Sequence, residues 1–395
     1  MYLSKLKFKN IGLVFFVIIF LFTTQSKSLD KFDTADSVSN YFSGVLSFND
    51  NEYDKSFKFF KKLDGLELSH SDFSVKYLYS LVNSGNFREA FNFSKKLDRQ
   101  NFNIFEIYLF LGTYYLKFSK LELAEEYFQK AKKTKRTVLN DYISSSLYNW
   151  SKLSSNNINN ALLETNKLDK RFENFKKIQN IFINCYFDSQ NTKNLYEELT
   201  SNKKTDFSRY NYFYASFVAS LDKIKEAKNI VNSALELYPR NLKLNQLIID
   251  LNENKNIQIF NCKNKAHVSA EILYIAANAL SSQSIYSISN FYLNLAKFLN
   301  EDFHSYDTLL AENFYKIENF NEANKIYNSL SKKGKAYRWH SAKQLARIYL
   351  QDDDEDRAIK VITDAYNNLD QKEVYETFDY AEFLKNNEQF EESIK

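Results

Sequence analysis

Three segments of this chain are spaced by one fixed interval. "YDKS" places Ser56 three residues after Tyr53, "FREA" places Ala90 after Phe87, and "LELA" places Ala124 after Leu121. The small residue recurs every 34 positions, and Gly44 and Gly112 stand two such intervals apart. A period of this length means one supersecondary unit stacked on copies of itself, so it is settled before any residue-level question. Within a unit the apolar spacing is helical. Tyr108, Leu111, Gly112 and Tyr115 share one face, as do Ala124, Phe128 and Ala131; both sets follow the i, i+3, i+4, i+7 pattern. The polar turn between them is short, which makes the two helices antiparallel neighbours. Gly112 weakens its own helix by roughly 1 kcal/mol relative to Ala. Interhelical packing must offset that, and the spacing predicts a close approach of Gly112 to Ala124, with Tyr115 and Phe128 filling the flanks.

Composition agrees. The 395 residues contain six Gly and one Pro, too few for the many turns of a sandwich or barrel. Apolar residues make up 44% and charged residues 26%, so the chain is not a disordered one. A net charge of +4 is too small to argue for a nucleic-acid surface. Ser56, Ala90, Ala124, Ala227, Ala323 and Ala358 are read as the packing residues of successive units, together with Gly44 and Gly112. Weaker units centre on Ala161 and Leu195. After Pro239 the register breaks, and a second series follows with a period of 35 through Ile288, Ala323, Ala358 and Ser393.

These residues resemble the tetratricopeptide repeat, or TPR. Leu111-Gly112, Tyr115, Ala124, Phe128 and Ala131 stand at its signature places, and Pro239 stands at its end-of-repeat place, where it stops the second helix. The resemblance implies an all-α, right-handed superhelical solenoid of antiparallel helix pairs in two arrays: 29–251, then a linker or irregular crossing at 252–269, then 270–395. It covers nearly everything after residue 28 and says little about function. It also implies that first helices line a concave groove. The groove places hold Tyr41 and Phe48, Tyr79 and Asn83, Lys117, Arg209 and Tyr212, and then His340, Lys343 and Arg347. Aromatic and cationic groups there suit an extended or helical peptide of acidic character. The places where some members clamp a terminal carboxylate hold Tyr41 and Val45 here, which argues against that version of the function.

Lys5, Lys7 and Lys9 precede an apolar run at 11–22, followed by "TTQSKS". This is the layout of a secretory signal, with cleavage expected after Ser26 or Ser28. The run spans about 18 Å as a helix, against about 30 Å of bilayer core. A removed signal is therefore favoured, and an inner-membrane tether through 11–22 is the alternative. The last unit, "YAEFLKNNEQFEESIK", stops inside its second helix, which predicts further sequence beyond Lys395.

No motif of nucleotide binding, zinc proteolysis or serine hydrolysis occurs. His70, His267, His304 and His340 lack ligand spacing. "QDDDEDR" at 351–357 has no Gly for a calcium loop and reads as a turn and cap. "KKTKR" at 132–136 reads as a solvated loop. Cys185 and Cys262 are read as plain buried residues, with a single disulfide as the alternative. No catalytic, cofactor or metal residue is assigned. The sequence therefore points to a non-enzymatic protein-interaction scaffold, exported to the periplasm or to the periplasmic face of the inner membrane, that binds protein rather than nucleic acid or a small-molecule substrate. It is similar in this to exported multi-repeat TPR proteins of alphaproteobacteria. The alternative is the helical arm of a murein-acting enzyme whose catalytic domain follows residue 395.

Overall fold

The computed structural model describes residues 34–134, 137–153, 158–201, 206–255, 257 and 260–394. The apolar run at 11–22, the cleavage sites, and Lys135 and Arg136 of the basic run lie outside them. The described residues are helical, with no strand among them. The first helices are α1 (Ala35–Asn49), α2 (Tyr53–Phe60), α3 (Ser71–Asn83), α4 (Phe87–Arg99), α5 (Phe105–Lys117) and α6 (Leu121–Lys133). Then come α7 (Val138–Lys152), α8 (Ile158–Asn166), α9 (Glu173–Tyr186), α10 (Thr192–Thr200), α11 (Ser208–Ala219), α12 (Ile224–Leu237) and α13 (Leu242–Asn252). The chain finishes with α14 (Lys265–Ser281), α15 (Tyr286–Leu299), α16 (Ser305–Lys316), α17 (Phe320–Leu330), α18 (Lys335–Gln351), α19 (Glu355–Asn367), α20 (Val374–Asn386) and the short α21 (Phe390–Ile394).

With so few glycines, the hairpin turns are made another way. Asn51, Ser119, Asp188, Asp222, Ser284, Glu318, Asp353 and Glu388 adopt left-handed backbone, with φ between 53° and 61° at each; Gly85 does the same at φ 77°. At each turn the next N–H reaches back to the carbonyl five residues earlier: Glu52 to Ser47 at 2.8 Å, Lys120 to Tyr115 at 2.9 Å, Asn319 to Phe314 at 2.9 Å and Asp354 to Tyr349 at 2.9 Å. This is the Schellman closure, which satisfies carbonyls left open at the helix end. Apart from Asp188, each left-handed residue stands five places before the small residue of its second helix. The acidic run is one such turn: Asp353 is left-handed, and the Asp354 carboxylate accepts the Arg357 N–H at 3.1 Å.

The small residue has a partner twelve positions earlier on the first helix, and a third position lies one turn beyond it. The trios are Gly44, Ser56 and Phe60; Leu78, Ala90 and Ser94; Gly112, Ala124 and Phe128; and Ala311, Ala323 and Tyr327, all buried. Where the first position is Gly, the third is Phe. A Cβ on Gly112 would stand 2.5 Å from the Phe128 ring, and one on Gly44 would stand 2.4 Å from Phe60. Where the first position is Leu78, the third shrinks to Ser94. Volume is thus exchanged across the helix crossing, as close packing requires. The glycine thus lets the helices approach at Ala124 and makes room beside that crossing for the Phe128 ring. In two units a hydroxyl also ties the crossing: Ser56 Oγ donates to Gly44 O at 2.9 Å and Ser289 Oγ to Ala277 O at 2.8 Å. Ser289, not Ile288, is therefore the small residue of that unit. In the fifth unit α10 buries Thr192, Tyr196 and Leu199, while Leu195 is half-buried.

The described residues up to Tyr77 and those from Leu78 onward form two compact units. In the first, Phe60, Leu63 and Phe73 make the core, with Tyr41, Val45, Leu66 and Tyr77 against it. The second holds the remainder of the first series and all of the second in one body. Its crossing segment is shorter than the sequence indicates, because α14 already begins at Lys265. Lys265 Nζ donates to Leu153 O at 2.5 Å and Ser151 O at 3.3 Å, neutralising the carbonyl end of α7. Cys185 and Cys262 are joined as a disulfide, with Cα atoms 6.0 Å apart. The expectation of two unpaired cysteines is thus corrected: the crossing brings Cys262, 77 positions away, back onto α9.

Gly112→Ala should destabilise the protein by about 1–3 kcal/mol, the usual penalty for overpacking. In a Phe128→Ala background the same change should be nearly neutral. Urea unfolding followed by circular dichroism measures both, and equal penalties in the two backgrounds would disprove the volume exchange.

Candidate functional site

The groove residues named from the sequence are distributed as follows. Tyr41 rests beside His70, its hydroxyl 3.4 Å from Nε2, and Phe48 packs on Tyr53 at 5.9 Å; both belong to the first unit. In the second unit, five of them face helices of the chain itself. Tyr79 is buried against Phe291 of α15, with ring centroids 4.4 Å apart. Asn294 Nδ2 donates to Asn83 Oδ1 at 3.1 Å. Lys117 Nζ pairs with Glu301 at 2.7 Å and lies 5.6 Å above the Phe298 ring. Arg209 grips Glu271 of α14 through two donors, Nε at 2.8 Å and a terminal nitrogen at 2.7 Å. Tyr212 is buried beside Phe303. Within the second unit, the inner face from Tyr79 to Tyr212 is therefore filled by α14, α15 and the turn after α15. As an open groove for a partner, this part of the expectation is corrected.

Arg209 and Glu271 explain why the face closes. Glu271 is the one acid in the apolar run "VSAEILYIAANAL", and its side chain is fully buried. A buried carboxylate is costly unless paired and hydrogen-bonded. Arg209 supplies a bidentate pair and the Tyr210 hydroxyl a third donor at 3.3 Å. The guanidinium in turn lies 3.7 Å from the Tyr274 ring centroid, a cation–π contact. Burial opposes the Arg209 charge, but Glu271 and Tyr274 outweigh it and hold its pKa above the usual value. Lys243 fares differently. Its Nζ lies 3.7 Å from the Phe303 ring centroid and 4.4 Å from that of Tyr212. Burial, and then the charge on Arg209, hold its pKa well below the lysine range.

The cationic places of the second series are also engaged. Lys343 pairs with Asp379 at 2.7 Å, and Arg240 reaches the other oxygen of that carboxylate at 2.7 Å. Burial, with Lys343 and Arg347 nearby, lowers His340 to about 4, so it is neutral at pH 7. Arg347 stays exposed, its guanidinium 4.4 Å from the Tyr315 ring centroid and bonded to Gln344 at 2.6 Å. Among the described residues no cluster of His, Cys, Asp or Glu is arranged to hold a metal, and no helix is long and apolar enough to cross a membrane.

Open space lies elsewhere. A cleft of about 810 Å³ is bounded by α12 and α13 on one side and by α18, α19 and the start of α20 on the other. Leu235, Ile248, Ile249, Ala336, Trp339 and Leu369 supply its apolar lining, and Glu236, Glu253, Asp370, Glu373 and Glu376 supply carboxylates. Its walls are tied together at several points. Gln246 Oε1 accepts the Ala336 N–H at 3.1 Å, beside Gly334, where a Cβ would stand 2.2 Å from that oxygen. The Tyr375 hydroxyl donates to Asn245 at 2.9 Å. Lys335 bridges Glu253, at 2.8 Å, and Asp370. Those two partners raise Lys335 to about 12, and Lys255 and Lys335 lower Glu253 to about 2. A mixed apolar and polar cleft of this size, at the junction of two arrays, has the character of a binding site. Sequence reading missed it because α13 meets α18 across some 90 residues of chain, as in the Gln246–Ala336 bond.

No family model matches this sequence, and no curated protein matches it. Among solved structures, the TPR domain of P58(IPK) aligns at 13% identity over 90% of this chain and 99% of that one, with a TM-score of 0.26. At that score the fold assignment rests on the repeat geometry itself. The molecule is a TPR-like array of consecutive helix pairs, and its accessible cleft lies where the first series meets the end of the second.

Replacing Lys243 by Met should raise the thermal midpoint at pH 7. A lysine whose folded pKa is depressed penalises folding below that pKa, and the penalty fades as pH rises toward the unfolded value of about 10.4. The gain over the parent should therefore shrink between pH 7 and pH 10 in paired melting curves. A gain independent of pH would contradict the desolvated ammonium.

Proposed function

We propose that this chain is a non-enzymatic protein-interaction scaffold of the bacterial cell envelope, exported across the inner membrane, and that it receives a segment of a partner protein in the cleft between α12–α13 and α18–α20. The observation that carries this reading is the cleft itself. Its apolar lining is unfilled, whereas the inner face of the first series is filled by the chain's own helices. Helical repeats build extended surfaces of this kind from rigid elements, and rigidity keeps the ordering cost of binding low.

Export is supported from two directions. Lys5, Lys7, Lys9 and the apolar run after them have the layout of a secretory signal. The Cys185–Cys262 disulfide suits an oxidising compartment, since such bonds are rare where thiols are kept reduced.

Site-specific photo-crosslinking in the native envelope tests the cleft. A photoreactive residue at Gln371 or Asn232, both exposed on the rim, should give a discrete crosslinked protein. The same residue at Glu122, on α6, should not. Crosslinks that fail at the rim, or that appear equally at Glu122, would overturn the assignment.

A further inference from the structure

The sequence places cations and aromatics where a partner would bind, which suits an acidic peptide. The structure reverses that polarity. Lys117, Arg209 and Lys343 are each paired with a carboxylate of the chain. The cleft has the opposite balance. Of its two cations, Lys335 is held between Glu253 and Asp370. Among the described residues, Glu236, Glu373 and Glu376 make no ion pair, and the one other cation of the lining is Arg338. At the start of α20 the Glu376 carboxylate accepts the Glu373 N–H at 3.2 Å, which holds it in place before anything binds, with the exposed Glu373 carboxylate close by in sequence. Glu376 is half-buried. Burial and the neighbouring charge of Glu373 raise its pKa, so an arriving cation would relieve a repulsion already present.

Beneath these acids the lining is apolar and aromatic. Ile248 and Ile249 are half-buried, and Trp339 is 5% exposed, with its indole N–H making no hydrogen bond. Trp and Tyr faces next to carboxylates hold cationic side chains better than either group alone. We infer that the cleft takes a cationic amphipathic segment of a partner protein, with the apolar side on Ile248, Ile249 and Trp339 and the Lys or Arg side chains on Glu236, Glu373 and Glu376. This deepens the scaffold reading and rests on the cleft being the binding face.

The test uses the full chain and two labelled peptides of about fifteen residues, roughly four helical turns. One has leucine on one face and lysine on the other; the second carries glutamate in place of lysine. Fluorescence anisotropy should show the lysine peptide binding about tenfold more tightly or better, as charge complementarity requires. Glu236→Gln with Glu376→Gln should weaken it about tenfold, the combined effect of two exposed charge pairs. Glutamine at 376 can still accept the Glu373 N–H, so the helix start survives. Glu122→Gln with Glu125→Gln, outside the cleft, should leave binding unchanged. No binding, equal binding of both peptides, or equal loss with the outside pair would overturn the inference. If rim crosslinking still succeeds in that case, the cleft stands as a binding face and its assigned charge preference falls.

Discussion

Glu271 is the residue around which the larger unit closes. It lies on α14, the first helix of the second series, and it has no exposed side-chain surface. A carboxylate in that position is tolerable only if something brings it a cation and donors, and α11 brings both through Arg209 and Tyr210. Once that pair is made, α14 lies along the first series and its neighbours follow. Lys265 caps α7, Phe291 meets Tyr79, and Asn294 meets Asn83. The Cys185–Cys262 disulfide holds the crossing segment on α9 beside them. Within this unit the helices from Leu78 onward thus become one body, and the face that carries Tyr79, Asn83 and Arg209 becomes interior.

This changes where function can sit. A solenoid ordinarily offers its concave side to partners. Here much of that side is occupied by the chain, and the cations that would have marked it are neutralised internally. Among the described residues, a cleft of about 810 Å³ stays open between α12–α13 and α18–α20. Its walls are fixed by Gln246, Tyr375 and Lys335. The balance of charge around it is acidic.

The repeat was legible in the sequence for a local reason. Each hairpin needs a small residue where its helices cross, and the left-handed turn residue stands at a fixed distance before it. Ser56, Ala90, Ala124, Ala227, Ala323 and Ala358 therefore display the period directly. Errors arose where the cue was ambiguous. Ile288 neighbours the true small residue Ser289, whereas the flank position of Phe128 beside Gly112 follows directly from the helical spacing. The groove was misread because its residues were judged without their long-range partners. Glu271 stands 62 positions from Arg209, Glu301 184 from Lys117, and Asn294 211 from Asn83. Nothing local announces such pairs. Glu271, the one acid in the run "VSAEILYIAANAL", was the visible sign that α14 needed a buried cation.

Within the larger unit, the second series covers the face that carries Tyr79, Asn83, Lys117, Arg209 and Tyr212. Asn83→Cys with Asn294→Cys tests it, because the two native side chains touch at 3.1 Å and the native cysteines are already joined. Mild oxidation of the folded double variant should form an intramolecular crosslink quickly and almost completely, seen as a mobility shift that reduction reverses. Folded protein whose new thiols stay free, or crosslink only between molecules, would contradict the covered face and return Tyr79, Asn83, Lys117, Arg209 and Tyr212 to an open groove.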